Sequence, residues 1–118
     1  MIKILQEVKS DENEIDFLLD LTFGSGRHAL SSYNYRVGVS SITELCFILR
    51  DDFDILIGVI RFWPIFIGSE RLSGLLLGPI GIHPTRQGEG LGEALIRKGI
   101  KKADETLTQY AERMNKAI

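Results

Sequence analysis

A short glycine-rich segment, GEGLG at residues 88–92, is the part of this sequence whose composition best suits binding chemistry. It follows the apolar run LLLGPIGI, residues 75–82, after a short polar link, and it leads into the helix-like segment EALIRKGI, residues 93–100. A glycine-rich loop that enters a helix exposes unpaired backbone N–H groups at the positive end of the helix dipole. These features favour an anionic ligand such as a phosphate or a pyrophosphate. Taken alone, the loop is also consistent with a plain turn from strand to helix.

Two common phosphate-binding motifs do not fit this loop. A P-loop needs Gly-Lys followed by Ser or Thr at the start of its helix, and GEGLGEA has neither the lysine nor the hydroxyl. A dinucleotide fingerprint that starts at Gly88 needs a small residue at position 93, which is Glu93 here, and it also needs a parallel βαβ unit. The pattern that does match is Q-x-x-G-x-G, with Gln87, Gly90 and Gly92 in its fixed positions.

The elements that must position this loop are predicted from hydrophobic periodicity and from caps. A first strand is expected over Ile2–Val8, and Ser10 or Asp11 can then cap a helix that Gly24 and Gly26 end. The buried face of that helix is expected to consist of Ile15, Leu18, Leu19 and Thr22.

Three β-rich runs follow, over residues 44–52, 54–66 and 71–82. The segments DDFD and IGSE separate them, and both have the composition of short turns. Because links of this length cannot join parallel neighbours, the three runs are predicted to form an antiparallel meander.

Helical spacing marks two further segments. A weak pattern covers residues 27–38, and a strong one begins at Gly92. The apolar face of the second helix comprises Leu95, Ile96, Gly99, Ile100, Ala103 and Leu107. Together these elements predict an α/β (α+β) protein with a mixed, mostly antiparallel sheet and helices on both of its faces.

Composition limits the class of protein. A hydrophobic fraction of 44% and a charged fraction of 25% over 118 residues are typical of one globular domain. A formal net charge of −2 gives no general attraction to nucleic acid. The single cysteine, Cys46, excludes an internal disulfide and fits a cytoplasmic setting. The start of the chain lacks the pattern of a signal peptide, and the apolar run 72–82 is too short and broken to span a membrane.

The run LLLGPIGIHPTRQGEGLGEALIRKGIKKADE, residues 75–105, resembles the central strand, loop and helix of the Gcn5-related N-acetyltransferase (GNAT) superfamily. FGSGRHALSSYNYR, residues 23–36, is similar to the second helix of the bacterial subgroup, and ILIGVIRFWPIFIG, residues 55–68, to its third strand. The resemblance extends from the N-terminus to about Glu105. It implies the acyl-CoA N-acyltransferase fold and transfer of the acetyl group from the co-substrate acetyl-CoA to a primary amine.

The resemblance also implies a cofactor site. Gly78-Pro79 loosens its strand, as expected of a β-bulge, and residues just past the bulge pair through their backbone with the pantetheine arm in the family. The pyrophosphate is expected on the N–H groups of the loop, with a further charge from Arg86. The cofactor-binding residues expected here are Ile80, Gly81, Ile82, Arg86, Gln87, Gly88, Glu89, Gly90, Leu91 and Gly92.

The chain departs from the family pattern at its C-terminal end. Relatives continue with a strand, a fourth helix and a final hairpin, whereas residues 106–118, TLTQYAERMNKAI, contain no strand signal. Residues 1–118 are therefore expected to form one C-terminally truncated N-acetyltransferase-like domain with a divergent tail, either helical or frayed. The alternative function is a catalytically inactive CoA-binding remnant or an interaction module. The exposed edge of strand 73–82 is expected to pair with a second copy in a homodimer, in preference to the other two outcomes, which are a C-terminal tail that folds back and aggregation.

No general acid or base can be assigned from the sequence, and no metal is implied. Glu44 is one candidate base but also fits a solvated strand residue. His83 and His28 are expected to be structural, and Cys46 to be a buried strand residue and not a nucleophile. Trp63 is a candidate wall of the acceptor site, although an aromatic residue in a β-rich run more often packs in the core or in a hairpin. Tyr33 and Tyr35 are candidates to border the same site.

Overall fold

The computed structural model describes residues 1–24, 26, 41–66 and 72–117. Its sheet has four antiparallel strands in the order of the chain: β1 (Lys3–Gln6), β2 (Phe47–Arg50), β3 (Leu56–Phe66) and β4 (Leu72–Ile82). Helix α1 (Glu12–Phe23) packs on one face, and helix α2 (Leu91–Ala117) packs on the other. The predicted meander between helices is thus confirmed. The predicted helix 27–38 and the IGSE turn, 67–70, lie outside the described residues.

Helix α1 follows its predicted pattern on its buried face and at its C-terminal end. Ile15, Leu18 and Leu19 are buried against the sheet, as their spacing predicts. Thr22, predicted for the same face, is only half-buried, and its hydroxyl donates to the carbonyl of Leu18. The helix ends before Gly24, which has a φ of +86° and donates its N–H to the carbonyl of Asp20.

The start of α1 differs from the predicted side-chain cap. Asp11 occupies the N-cap position, but its carboxylate caps no α1 N–H and instead accepts the N–H of Val8 at 2.9 Å. Ser10 lies in a 3-10 turn over Lys9–Asp11. This turn also explains why β1 ends at Gln6 and not at the predicted Val8, because the Val8 N–H is taken by Asp11.

The buried carboxylate of Asp11 belongs to a charge network around Arg50 of β2. Nη2 of Arg50 lies 2.7 Å from Oδ1 of Asp11, and Nη1 donates to Glu14 at 2.9 Å and to the carbonyl of Asp54 at 2.8 Å. The hydrogen bond from Arg50 lowers the pKa of Glu14, and the same bond helps to raise the pKa of Arg50. The network joins α1 to β2 and to the turn that follows β2.

Strand β2 is shorter than the predicted run 44–52. Residues Thr43–Leu45 form a 3-10 turn, in which Leu45 donates its N–H to Ile42 and Cys46 donates to Thr43. Pairing with β3 begins only at Phe47, because these local bonds use the backbone groups before it. The turn after β2 agrees with the DDFD prediction, since the Asp51 carboxylate accepts the N–H groups of Phe53 and Ile55.

Helix α2 packs closely on β3 through its smallest residues. Leu95 and Ala103 are buried together with Phe62, and a Cβ placed on Gly99 would lie 2.5 Å from the Phe62 ring. Ile100, predicted to belong to the buried face, is 53% exposed. It lies one residue from Gly99, about 100° around the helix, so it points away from the sheet.

The tail takes the helical alternative of the two interpretations, since residues 106–117 continue α2. Side chains from Leu107 onward lie outside the described part, so the predicted role of Leu107 stays a prediction. Within the described residues, no helix is both long and apolar enough to cross a bilayer.

The Arg50 network yields a stability prediction. Arg50→Ala leaves the Asp11 carboxylate buried without its cationic partner, and we expect it to lower the free energy of unfolding by ~3 kcal/mol. Arg97→Ala is the matched control, because Arg97 and its partner Glu93 are 78% and 65% exposed and the loss should be about 0.5 kcal/mol or less. Urea denaturation followed by circular dichroism measures both, and equal losses would contradict a structural role for Arg50.

The contact between Gly99 and Phe62 yields a second prediction. Gly99→Ala gains helix propensity, but its methyl group enters the space of a buried ring, so we expect a net destabilisation of about 1–3 kcal/mol. Gly92→Ala makes the same change at a helical position where the nearest atom, Cγ1 of Ile82, is 3.8 Å from the added Cβ, so it should not destabilise the fold. Thermal unfolding of both variants checks the difference, and an unchanged melting temperature for Gly99→Ala would refute the close packing.

Candidate functional site

The predicted β-bulge on β4 is confirmed by the register of its pairing with β3. Ile60 lies opposite Ile80, and Phe62 lies opposite Leu77, so β4 has one residue more than β3 between these pairs. The extra residue falls at Gly78-Pro79, opposite Arg61. The indole Nε1 of Trp63 donates a hydrogen bond of 2.6 Å to the carbonyl of Gly78 and so connects the bulge to β3.

The bulge changes which residues of β4 face each helix. Before it, the odd-numbered Leu75 packs on the core beneath α2, whereas after it the even-numbered Ile80 and Ile82 do so. Gly81 therefore faces α1, and a Cβ at this position would lie 3.1 Å from Cδ2 of Leu19. The segment after the bulge is thus held between the two helices.

Strand β4 has an open edge beside the bulge, since none of the described strands pairs with its outer side. The N–H of His83 donates to the carbonyl of Ile57, and Gly81 lies opposite Val59 two residues further along. By the alternation of an antiparallel ladder, the backbone groups of Gly81 point toward β3 and those of Ile80 and Ile82 toward the open edge.

This alternation affects the expected pantetheine contacts. Of the three residues that the resemblance implies, only Ile80 and Ile82 direct backbone groups to the outer edge. The carbonyl of Ile82 is also 3.3 Å from Nε2 of Gln87, a bond that connects the loop to the end of the strand. The groups that remain for a ligand are the N–H groups of both isoleucines and the carbonyl of Ile80.

The glycine loop has the backbone geometry that its composition predicts. Gly88 and Gly90 have φ values of +85° and +76°, which L side chains rarely adopt, and no atom lies within 4 Å of a Cβ at either position. Glycine is therefore required at both positions by backbone conformation and not by crowding.

The N-terminus of α2 leaves several backbone donors unused. The carbonyl of Gly90 accepts the N–H of Ala94 at 3.1 Å, so Gly90 is the N-cap. Across the residues that the structure describes, no hydrogen bond uses the N–H groups of residues 87–93. Those expected to contact a pyrophosphate are on Gln87, Gly88, Gly90, Leu91 and Gly92.

Arg86 and Glu89 of the loop are paired with each other. Nε of Arg86 is 2.8 Å from Oε2 of Glu89, and Nη2 is 3.1 Å from Oε1. The hydrogen bond from Arg86 lowers the pKa of Glu89 and, in turn, raises the pKa of Arg86. An anion at this loop must therefore compete with Glu89 for Arg86.

His83 has the structural role that the sequence favours, whereas Cys46 is buried as expected but lies just before β2 and not in the strand. Nδ1 of His83 accepts the N–H of Thr85 at 3.2 Å and so caps the 3-10 turn Pro84–Arg86. Cys46 is fully buried, its thiol donates to the carbonyl of Ile42, and burial raises the pKa of the thiol. A thiol with a raised pKa is a poor nucleophile at neutral pH.

The remaining candidate site residues lie in different parts of the chain. Glu44 is exposed on a 3-10 turn and not on the strand where it was expected. His28, Tyr33 and Tyr35 lie outside the described residues. Trp63 lines a cleft and donates its indole N–H to the bulge, and its place at an acceptor site stays a prediction.

That cleft contains residues that the sequence analysis missed. Its volume is about 460 Å³, and it lies on the α1 side of the sheet. Nε and Nη2 of Arg61 donate to the carboxylate of Glu7 at 3.0 and 3.1 Å, and both side chains are largely buried. The available signal was an arginine in the apolar run ILIGVIRFW. The lining includes Glu7, Lys9, Glu12, Thr43, Arg61 and Trp63.

Comparison with known proteins defines the class. Residues 12–117 match the family model described as the acetyltransferase (GNAT) family. The chain therefore belongs to the GNAT acetyltransferase family, and the predicted resemblance and fold are confirmed. The match includes residues 106–117, which the sequence analysis treated as divergent.

Individual relatives agree with this assignment. The uncharacterized N-acetyltransferase YhbS of Escherichia coli (strain K12) is 26% identical over 99 residues, which cover 84% of this chain and 58% of YhbS. The crystal structure of Escherichia coli YhbS in complex with CoA has a TM-score of 0.69 at 25% identity, covering 90% of this chain and 57% of that one. A GNAT acetyltransferase of Brucella melitensis in complex with acetyl-CoA has a TM-score of 0.70 at 25% identity, covering 90% and 70%. The chain spans a little more than half the length of YhbS.

Proposed function

We propose that this chain binds acetyl-CoA along the open edge of β4 and the 87–92 loop, and that it transfers the acetyl group to a primary amine. The observation that carries the proposal is the row of backbone N–H groups before and at the start of α2 that none of the described residues uses. These groups follow a bulged strand whose outer side pairs with none of the described strands. Family membership and the CoA complexes of two relatives support the choice of ligand.

The binding mode follows from the direction of the backbone groups. The amides of a pantetheine arm can pair with Ile80 and Ile82 as an added strand would. The pyrophosphate then lies at the N-terminus of α2, where the helix dipole and the N–H groups of Gly88 to Gly92 favour negative charge. Side chains contribute little to this recognition, which explains why glycine, and not a charged residue, dominates the loop.

The proposed reaction is a direct acyl transfer. The amine nitrogen attacks the thioester carbonyl carbon, an N–C bond forms, and the C–S bond breaks. The nitrogen loses a proton and the departing CoA thiolate gains one, so the products are an amide and free CoA thiol. A strand N–H beside the bulge is suited to polarise the carbonyl oxygen.

Titration with CoA tests the binding step. We expect the amide resonances of Gly88, Gly90 and Gly92 to shift, and Gly90→Val to abolish the response, because a β-branched residue resists a positive φ and intrudes on the phosphate site. Gly24→Val is the matched control, since Gly24 also has a positive φ with no atom within 4 Å of its Cβ position, but it lies at the end of α1. Unchanged resonances at millimolar CoA would refute the site.

Measuring the release of CoA thiol separates transfer from binding in the same samples. Amine-dependent release from acetyl-CoA is the result expected of an acetyltransferase. Shifts without any release would identify the alternative, a module that binds CoA and does not catalyse transfer.

The Arg86–Glu89 pair yields a further prediction for this site. Glu89→Gln frees Arg86 for the pyrophosphate, and we expect the affinity for CoA to rise roughly two- to fivefold at low salt. Glu93→Gln is the matched control, because it removes one negative charge from the same helix end but releases Arg97 instead. Calorimetric titration measures both affinities, and equal gains would show that net charge alone, and not the release of Arg86, is responsible.

A further inference from the structure

The cleft of Glu7, Arg61 and Trp63 is connected to the bulge through its two β3 residues. Arg61 is the β3 residue opposite Gly78-Pro79, and Trp63 donates its indole N–H to the Gly78 carbonyl. A molecule in the cleft therefore lies beside the segment of β4 that is proposed to hold the acetyl end of acetyl-CoA. The cleft lies on the α1 side of β3, whereas the cofactor path follows the outer edge of β4.

Arg61 has binding capacity that its partner does not use. Its side chain is 14% exposed, and Glu7 accepts from Nε and Nη2. Although burial opposes the charge, the Glu7 carboxylate raises the pKa of Arg61. Nη1 has no hydrogen-bond partner among the residues that the structure describes. A cationic nitrogen with two free N–H groups in a partly buried cleft favours a carboxylate oxygen, because charge-assisted bonds of this kind are short and strong.

Charges of both signs surround the cleft. Among its lining residues, Arg61 and Lys9 are cationic, and Glu7 and Glu12 are anionic. Asp16 adds a further negative charge near Arg61. A ligand that has both an ammonium and a carboxylate can pair with charges of both signs. The Trp63 ring adds an apolar wall against which the body of such a ligand can pack.

We infer that the cleft of Glu7, Arg61 and Trp63 binds the acceptor of the reaction, and that this acceptor is an amine that also carries a carboxylate, bound by Nη1 of Arg61. The inference rests on the proposed acetyl transfer for its biological meaning. The binding itself depends only on residues of the cleft. Arg61 acts here as a residue that determines specificity, and the reacting nitrogen is the amine of the ligand.

The sole tryptophan of the chain, Trp63, makes this binding measurable without catalysis. Free L-amino acids, each paired with its own carboxamide, are titrated into the chain in the presence and absence of CoA, and Trp63 fluorescence is recorded. We expect a saturable change for at least one free acid and an affinity about tenfold weaker for its carboxamide, because the amide cannot form the charged bond to Arg61.

Arg61→Lys tests the assignment to one side chain. Lysine keeps a positive charge opposite Glu7 but lacks the planar guanidinium group. The ratio of the affinities for the free acid and its carboxamide should therefore fall from about ten to about one. Arg97→Lys is the matched control on the surface and should keep the full preference. CoA-induced shifts of Gly88, Gly90 and Gly92 in Arg61→Lys establish that the variant is folded.

The outcomes separate this inference from the proposed function. Equal affinity for acid and carboxamide, or no fluorescence change with any ligand, overturns the acceptor assignment, and intact CoA shifts would then leave the proposed function standing. If the free acid is preferred through Arg61 but CoA causes no amide shifts, the acceptor assignment is supported and the proposed function is wrong. A preference for the acid that survives in Arg61→Lys would also overturn the role given to Arg61.

Discussion

The pairing of β3 with a β4 strand that is one residue longer is the constraint on which the rest of the site depends. The extra residue at Gly78-Pro79 moves the inward-facing positions of β4 from odd to even numbers. It sets Arg61 against the bulge and brings Trp63 within hydrogen-bonding distance of the Gly78 carbonyl. Without it, Ile80 and Ile82 would face the other helix, and the strand would enter the glycine loop with the opposite orientation.

The two helices hold this strand from opposite sides. Helix α2 approaches the sheet closely because Gly99 has no side chain where the Phe62 ring lies. Helix α1 packs on the other face through Ile15, Leu18 and Leu19. Arg50 adds a charged connection from the first turn of α1 to β2.

Three arginines show how burial and partners decide the use of a guanidinium. Arg50 uses both terminal nitrogens within the fold and serves structure. Arg86 lies at the surface in a pair with a loop neighbour, from which an anion can displace it at little cost. Arg61 is intermediate, because it is largely buried and held by Glu7, yet its Nη1 has no hydrogen-bond partner among the described residues. Position in the fold, and not residue type, distinguishes these roles.

The sequence by itself determined the features that depend on neighbours along the chain. The meander, the buried face of α1, the bulge at Gly78-Pro79 and the positive φ values of the glycine loop all follow from local periodicity and from the conformations that glycine and proline allow. Only the tertiary structure decided the features that join distant residues. The Arg61–Glu7 pair spans 54 positions, and the Arg50–Asp11 pair spans 39. Local sequence patterns do not predict such contacts. A charged residue in a strand can face solvent or a buried partner, and the packing of the sheet and helices decides which.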